Sequence, residues 1–398
     1  MLNERSREDN KYFLHADGDS FFVACELVAR PDLRGKPVIV GGDSGIAVAM
    51  SHEAKKLGVT RGMPTFQIKK LYPEVIILPH NFKLYRDISK KAYNIILSYL
   101  ESVEVYSVDE CFAVVKNSDI KYFGGARKLA EELKNEIENS LGVTYSFGMA
   151  KTKALAKQAS KLQKPNGLVI LLTKEDEIEA LKKTSINDIW GIGRQTIPRL
   201  QNRGIKTAYD FVNYSDSEIE KHFSEPLLIL KKELSGESIY EVEDDADPRE
   251  QKSIQATGTF RPSSNDAKII WSEIAENAEH ACTHARKLNL ISNKVSVFVK
   301  NTDFKYYFEE IKLPLYTSDP GVVLNALNPL LQKLLSRGEK MRSTGVILHN
   351  LVREEDAPRD LFGKQEIALQ NSKIEEVADK LREKFGNDAV KRASSLKN

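Results

Sequence analysis

Cysteine is scarce in this chain: Cys25, Cys111 and Cys282 are the only three in 398 residues, widely spaced and without a C-x-x-C pair. Their odd number and spacing indicate neither a disulfide framework nor a thiolate zinc site, and a reducing compartment fits. Long apolar runs are also missing, since none approaches the ~18 residues of a membrane span. Residues 1–11 are polar and mixed in charge, unlike a targeting segment. The expectation is a soluble, cytoplasmic protein. Net charge is nearly absent as well. The 59 Lys and Arg against 57 Asp and Glu leave +2, so a polyanion partner has to be held by local basic patches. The glycine cluster at 41–45 lacks the G-K-S or G-K-T ending of a phosphate loop and lies between two strand-like runs, which predicts a hairpin turn.

What is present points to several folded domains. At roughly 150 residues per domain the length allows about two to four. The 41% hydrophobic and 29% charged content is that of a globular chain and excludes global disorder. Residues 12–16 are β-prone and run into Asp17-Gly18-Asp19-Ser20, a turn and N-cap ahead of a helical pattern at 21–29. Residues 103–115 read as two β arms meeting around Asp109-Glu110. Ala126, Leu129, Ala130, Leu133 and Ile137 recur at helical spacing within 125–141, and a strand follows at 143–149.

This β-α-β-β-α-β order is the ferredoxin-like split βαβ arrangement of an α+β fold, with the first and third strands adjacent in the middle. Asp17 is therefore expected to meet Asp109 and Glu110. An insertion at 31–100, with strands at 37–40 and 46–50, is long enough for a lobe over the sheet. Residues 142–173 hold five lysines and no acid, a local basic strip. A helical unit at 184–214 is built around Gly191-Ile192-Gly193, and the acidic stretch 240–247 reads as a linker. A mixed domain spans 252–352, and a charged tail with one amphipathic helix at 374–385 ends the chain.

Three carboxylates gathered at a sheet edge repel one another unless cations separate them, and hard oxygen ligands of this kind suit Mg²⁺. Such a site can hold two metals for in-line phosphoryl displacement. Either acidic piece alone reads as turn carboxylates in water; their matched placement in the split βαβ order favours a site. Gly191-Ile192-Gly193 resembles a helix-hairpin-helix element, in which glycines let backbone N–H groups approach a phosphate. His280 and His284 stand at i and i+4 on a helix, but no third ligand is evident, so a helix surface is the better reading.

The motifs H-A-D-G-D-S-F-F at 15–22, S-H-E-A-K-K-L-G-V at 51–59, R-G-M-P at 61–64, Y-S-V-D-E-C-F at 106–112, K-P-N-G at 164–167 and W-G-I-G-R at 190–194 carry a resemblance. In order and spacing the chain resembles a Y-family, translesion DNA polymerase. The W-G-I-G-R motif and the cysteine after D-E look more like the UmuC-type branch than the DinB-type branch.

The resemblance implies a right-hand polymerase with a palm at 1–30 and 82–173, fingers at 31–81, and a helix-hairpin-helix thumb at 174–238. A linker at 239–251, a little finger at 252–352 and a C-terminal tail at 353–398 complete it. By motif match, Asp17, Asp109 and Glu110 are the catalytic metal ligands for two Mg²⁺, with Gly18 contributing its carbonyl; Asp19 is not counted a ligand. The incoming dNTP is met by Ser20, Phe21, Phe22, His52, Lys55 and Lys164, with Phe22 at the position that excludes a ribose 2′-hydroxyl. His52 and Lys55 replace the Tyr and Arg of many members, and lysine lacks arginine's bidentate fork. Residues 46–50 form a roof of small and flexible side chains, the basis of low fidelity and lesion bypass. Gly191, Gly193 and Arg194 contact primer-template DNA. Leu361 and Phe362 offer a sliding clamp a peptide without its usual glutamine. Two rival readings are a nucleotidyl cyclase built on a related palm and a DNA-binding scaffold that has lost catalysis.

Overall fold

Strand β1 (Tyr12–Gly18) is buried along almost its whole length, as only a central strand can be. The computed structural model describes residues 11–42, 45–243, 251–336, 338–358, 364–386, 389–390 and 392–393. The chain divides into two units, parted between residues 247 and 248, at the end of the acidic stretch.

In the first unit the insertion after β1 builds a small sheet of β2 (Val38–Val40), β3 (Ala49–Met50) and β4 (Ile76–Leu78), ordered β3-β2-β4. The expected strand at 46–50 is shorter than its composition suggests, because Ile46 pairs instead with Pro64 in an isolated bridge. The chain then supplies β5 (Val103–Val105), β6 (Glu110–Val115), β7 (Tyr145–Ala150) and β8 (Leu168–Ile170). The five-stranded sheet is ordered β5-β6-β1-β7-β8. Its first four members are the split βαβ order expected from the sequence, and β8 adds parallel to β7.

One face of this sheet packs Leu14, Ala16, Cys111 and Phe147 under the helices Phe21–Ala29, Phe82–Tyr99 and Ala126–Leu141. The apolar stripe of the last helix, Ala126 to Ile137, is buried throughout, each Leu or Ile contributing roughly 1.5–3 kcal/mol. The other face packs Phe13 and Ala150 against helix Lys153–Leu162 and, beyond it, the short helices between residues 174 and 234.

Gly148 sets the distance of that helix. A Cβ there would lie 2.1 Å from the carbonyl oxygen of Ala156 and 2.3 Å from the amide nitrogen of Ser160, so the helix backbone rests directly on β7. Thr152 caps the helix through the Leu155 amide (3.2 Å) and donates to the Glu233 carbonyl (2.8 Å). The close approach buries two lysines of the basic strip, Lys153 and Lys157. Lys153 is buried on Glu104 (2.6 Å) and Lys157 on Glu110 (2.7 Å), while Lys164 pairs with Asp17.

The second unit is a four-stranded antiparallel sheet of β9 (Ser253–Ser264), β10 (Leu290–Asn301), β11 (Tyr306–Thr317) and β12 (Met341–Arg353), ordered β11-β10-β12-β9. Helices Ala267–Lys287 and Pro320–Leu335 cover one face, packing Ile270, Ile274, Val323 and Leu327 on Val295, Val297 and Val299. The tail helix is longer than its amphipathic stretch suggests, running Lys364–Phe385. It docks on this unit through polar groups. Arg286 Nε donates to Asp379 (2.7 Å), Thr283 Oγ1 to Asp379 (3.0 Å), and Gln365 Nε2 to the Tyr316 carbonyl (2.7 Å). Both His280 and His284 are exposed, and the histidine-carboxylate cluster found among the described residues includes neither. No helix among the described residues is long and apolar enough to cross a membrane.

Candidate active site

The site is a product of register. Pairing of β1 with β6 places Asp17 opposite Glu110, and the Gly18 amide donates to the Asp109 carbonyl at 2.8 Å. Residues opposite one another share a face of a sheet, so Asp17 and Glu110 project together. Ligand atoms of His15, Asp17 and Glu110 all lie within 4.8 Å of one another. Asp109 stands one residue out of phase, accepts from Ser107 Oγ at 2.6 Å, and lines the same cavity.

That cavity, about 460 Å³, is lined by Asp17, Gly18, Asp109 and Glu110 together with Ser20, Phe21, Phe22, Lys55 and Lys164. Val48, Ala49 and Met50 roof it, whereas Ala47 is buried in the core of the small sheet. His52 is the nucleotide candidate not brought to the cavity wall; it is exposed at the start of helix His52–Lys56. Thr60 and Arg61 line the cavity and were not assigned a role from the sequence. The signal for Arg61 was available, because a cation in a turn next to Gly62 stands inside the R-G-M-P motif.

Charge in the site is balanced internally. Burial pushes the Asp17 carboxyl up to about 6, with the Lys164 ammonium opposing and Glu110 adding to the rise. Burial acts the same way on Glu110, but the Lys157 hydrogen bond and charge outweigh it and hold Glu110 below the usual range. Lys157 also lies 4.4 Å from the Tyr106 ring centroid and 5.3 Å from that of Trp190. Lys55 Nζ donates to Ser20 Oγ at 2.9 Å, joining the small sheet's lobe to the turn after β1. His15 is kept neutral by burial and by nearby lysines, led by Lys157. Its Nδ1 bonds Ser160 Oγ at 2.8 Å, and its Nε2 is buried without a hydrogen-bond partner among the described residues.

Asp19 is occupied elsewhere: it accepts from Ser146 Oγ and from the Asn166 amide, both at 2.7 Å. It holds the K-P-N-G turn that carries Lys164. Two facing carboxylates, one pushed up by burial and by its neighbour, form a hard-oxygen donor set that fits a divalent cation.

The adjacent phenylalanines part company. Phe21 is buried in the core, its ring edge-on to Tyr145 at 6.1 Å. Phe22 is half-buried at the cavity, stacked on Tyr85 at 4.5 Å and 13°, and Tyr85 is fixed by donating to Glu26 at 2.7 Å. At the glycine hairpin, Gly191 has φ +85°, which favours glycine. A Cβ on Gly193 would meet nothing within 4 Å, and Arg194 is exposed. Trp190 beside them packs edge-on against Tyr106 (5.7 Å) and Tyr240 (5.8 Å). Leu361 and Phe362 lie outside the described residues.

A split βαβ palm with facing carboxylates, an inserted lobe roofing them and a helical hairpin beyond define a nucleotidyl-transferring polymerase of the right-hand class. Comparison with known proteins names the family. Residues 16–161 match the impB/mucB/samB family and residues 251–361 match that family's C-terminal domain. A relative from Desulfatibacillum aliphaticivorans named DNA polymerase IV is 32% identical over 96% of both chains. The protein UmuC of Salmonella typhimurium is 30% identical over 95% of this chain and 92% of its own. A solved Y-family DNA polymerase chimera of Dbh and Dpo4 superposes with a TM-score of 0.73 at 26% identity, covering 86% of this chain and 99% of that one. The chain belongs to the Y-family DNA polymerases. Relatives carry both branch names, and the fold implies dependence on a divalent metal in general.

Proposed function

We propose that the chain is a template-directed DNA polymerase that joins a dNTP to a primer 3′-hydroxyl and copies past damaged bases at low fidelity. The observation that carries this reading is the single cavity shared by Asp17, Asp109, Glu110, Phe22, Lys55 and Lys164. Asp17, Asp109, Glu110 and the Gly18 carbonyl would hold two Mg²⁺. When bound, these ions supply Lewis acidity that lowers the pKa of the attacking hydroxyl and neutralises charge on the leaving pyrophosphate. Lys55, Lys164 and Arg61 surround the space for a triphosphate with positive charge, and the Ser20 and Phe21 amides stand at a helix start suited to anions. His52, exposed one turn before Lys55, is assigned an outer contact to the same anion.

Phe22 presents the face of a ring where the sugar of the nucleotide would lie, so a ribose 2′-hydroxyl meets carbon instead of a partner. Discrimination then comes from a clash with the wrong substrate. The roof of Val48, Ala49 and Met50 has no aromatic ring to test base-pair shape. Gly191, Gly193 and Arg194 would hold the DNA backbone, positioning it without reading sequence. We assign the chain to the UmuC-type branch on W-G-I-G-R and Cys111. A cytoplasmic location agrees with three free, buried cysteines. Leu361 and Phe362 complete the reading as a contact for a sliding clamp.

Primer extension on undamaged and lesion-bearing templates with Mg²⁺ tests the proposal. Incorporation on both, abolished by Asp17→Ala, is the expected result. Incorporation that Asp17→Ala leaves intact would remove the assignment. Formation of a cyclic nucleotide without primer would favour the cyclase instead.

A further inference from the structure

A buried cation of the first unit stands outside the cavity and yet holds one of its carboxylates. Lys157 is 4% exposed, and its Nζ donates to Glu110 Oε2 at 2.7 Å. It does not line the cavity, whereas Lys55 and Lys164 do. Its surroundings are aromatic. The ring centroids of Tyr106, Trp190 and Phe112 lie 4.4, 5.3 and 5.9 Å from the ammonium, all within the ~6 Å at which a ring face attracts a cation. The rings also hold one another. Tyr106 is edge-on to Phe112 (5.6 Å) and to Trp190 (5.7 Å), and Phe112 and Trp190 stand 6.3 Å apart. Among the described residues, one carboxylate oxygen and three rings share this ammonium.

Three parts of the chain meet at this cage. Lys157 stands on helix Lys153–Leu162, Tyr106 and Phe112 flank the turn that bears Asp109 and Glu110, and Trp190 opens the glycine hairpin. The next turn of the same helix is tied to the hairpin as well, because Lys161 Nζ donates to the Asp188 carbonyl at 3.2 Å. Ile189 and Ile192, on either side of Trp190, are buried in the core beneath. The indole therefore moves only with the hairpin. An ammonium confined by three rings fixes the oxygen it binds, so the seat of the hairpin is passed through Lys157 to the Glu110 carboxylate. Phosphoryl transfer depends chiefly on such placement, and groups that orient a ligand from behind count with the ligand itself.

We propose that Lys157 and Trp190 are positioning residues: the rings of Trp190, Tyr106 and Phe112 hold Lys157 against Glu110, so the glycine hairpin sets the orientation of a reacting carboxylate. The proposal rests on the polymerase reading, and one arm of its test needs no DNA synthesis. In primer extension Lys157→Met, which keeps the stem and removes the charge, should lower kcat at least about tenfold and move the KM for dNTP by less than about threefold. Trp190→Leu should lower kcat about threefold. Added to Lys157→Met it should cost less than about 1.5-fold more, because residues that act through one contact are not additive. Trp190→Leu leaves the ion pair in place, so it tests the proposal even where Lys157→Met fails to fold. For the second arm, Trp271→Phe leaves Trp190 the one tryptophan of the chain. Without DNA or nucleotide, Mg²⁺ should shift Trp190 emission saturably, and Lys157→Met should abolish the shift. Emission indifferent to Mg²⁺, a shift that survives Lys157→Met, or additive losses would overturn the proposal. So would a Trp190→Leu loss that appears as weaker DNA affinity at unchanged kcat. A wild-type chain that makes no DNA while the emission arm holds would remove the polymerase reading instead.

Discussion

The two larger sheets of this molecule are built from similar elements and put to opposite use. The palm sheet is covered on both faces, and its carboxylates and lysines face one another under the helix Lys153–Leu162. The sheet of the second unit is covered by helices on one face and exposes aromatic rings with cations beside them on the other. Enclosure removes water, and removal of water is what pushes Asp17 up to about 6. An open face leaves ordinary solvation and offers area. The chain thus assigns enclosure and open area to different units.

The sharpest way to break the comparison is to remove a charge from the enclosed sheet. Asp109→Ala should lower primer extension by at least ~10³-fold, about 4 kcal/mol of transition-state stabilisation, with DNA affinity little changed. Extension within tenfold of wild type would remove Asp109 from the metal set. Next in size are the two phenylalanines. Phe21→Ala should lower stability by roughly 3–5 kcal/mol, since the ring is fully buried. Phe22→Ala should leave a folded enzyme whose ratio of kcat/KM for dNTP over rNTP collapses. Tyr85→Ala, which removes the ring stacked on Phe22, should move that ratio in the same direction by less. An unchanged ratio in Phe22→Ala would remove the gate.

A pair of glycine substitutions compares the sheets directly. At Gly148 a new Cβ meets backbone atoms of the covering helix, while at Gly345 it meets the tip of the Phe298 ring. Gly148→Ala should therefore cost about 3 kcal/mol or more and Gly345→Ala about 1 kcal/mol, because a side chain swings aside more readily than a helix. Unfolding followed by calorimetry distinguishes them, and equal losses would contradict the contrast.

The smallest effect is one of pH. Burial alone would raise the Asp379 carboxyl, but Arg286, with Thr283 and Arg382, holds it below the usual aspartate range. A depressed folded value means that the unfolded chain takes up the proton first. The contribution is complete above the ordinary aspartate pKa, about 4, and is lost as pH falls through the lower folded value. The melting temperature of the second unit should drop in that acid window, and less so in Asp379→Asn. The same slope in both would show that Asp379 is not the group responsible.

Much of this was legible in the sequence because it rests on periodicity and order. The β-prone run before Asp17, the D-E between two β arms and the split βαβ order were enough to place Asp17 beside Glu110, as the register then shows. Within the lysine strip, the burial of Lys153 and Lys157 is not legible from charge alone, because charge is normally outside. Both sit on a helix that Gly148 lets rest directly on β7, a tertiary contact that no local pattern reports. The tail helix was read too short for a related reason. Its docking is by Asp379 on Arg286, Arg382 on Glu279 and Gln365 on Tyr316, and hydrophobic spacing is blind to an ion pair. Thr60 and Arg61 lie in an irregular turn, where spacing says nothing about direction.

The bond from the Gly18 amide to the Asp109 carbonyl has a consequence for lifetime. Asp17 and Glu110 are borne by the ladder of the central strands instead of by a surface loop. They come apart only when the strands come apart, and a slip of one residue would send Asp17 to the opposite face. Amides of β1 and β6 should accordingly exchange with deuterium only through the rarest openings of the first unit. The site therefore survives the frequent local fluctuations of the chain around it.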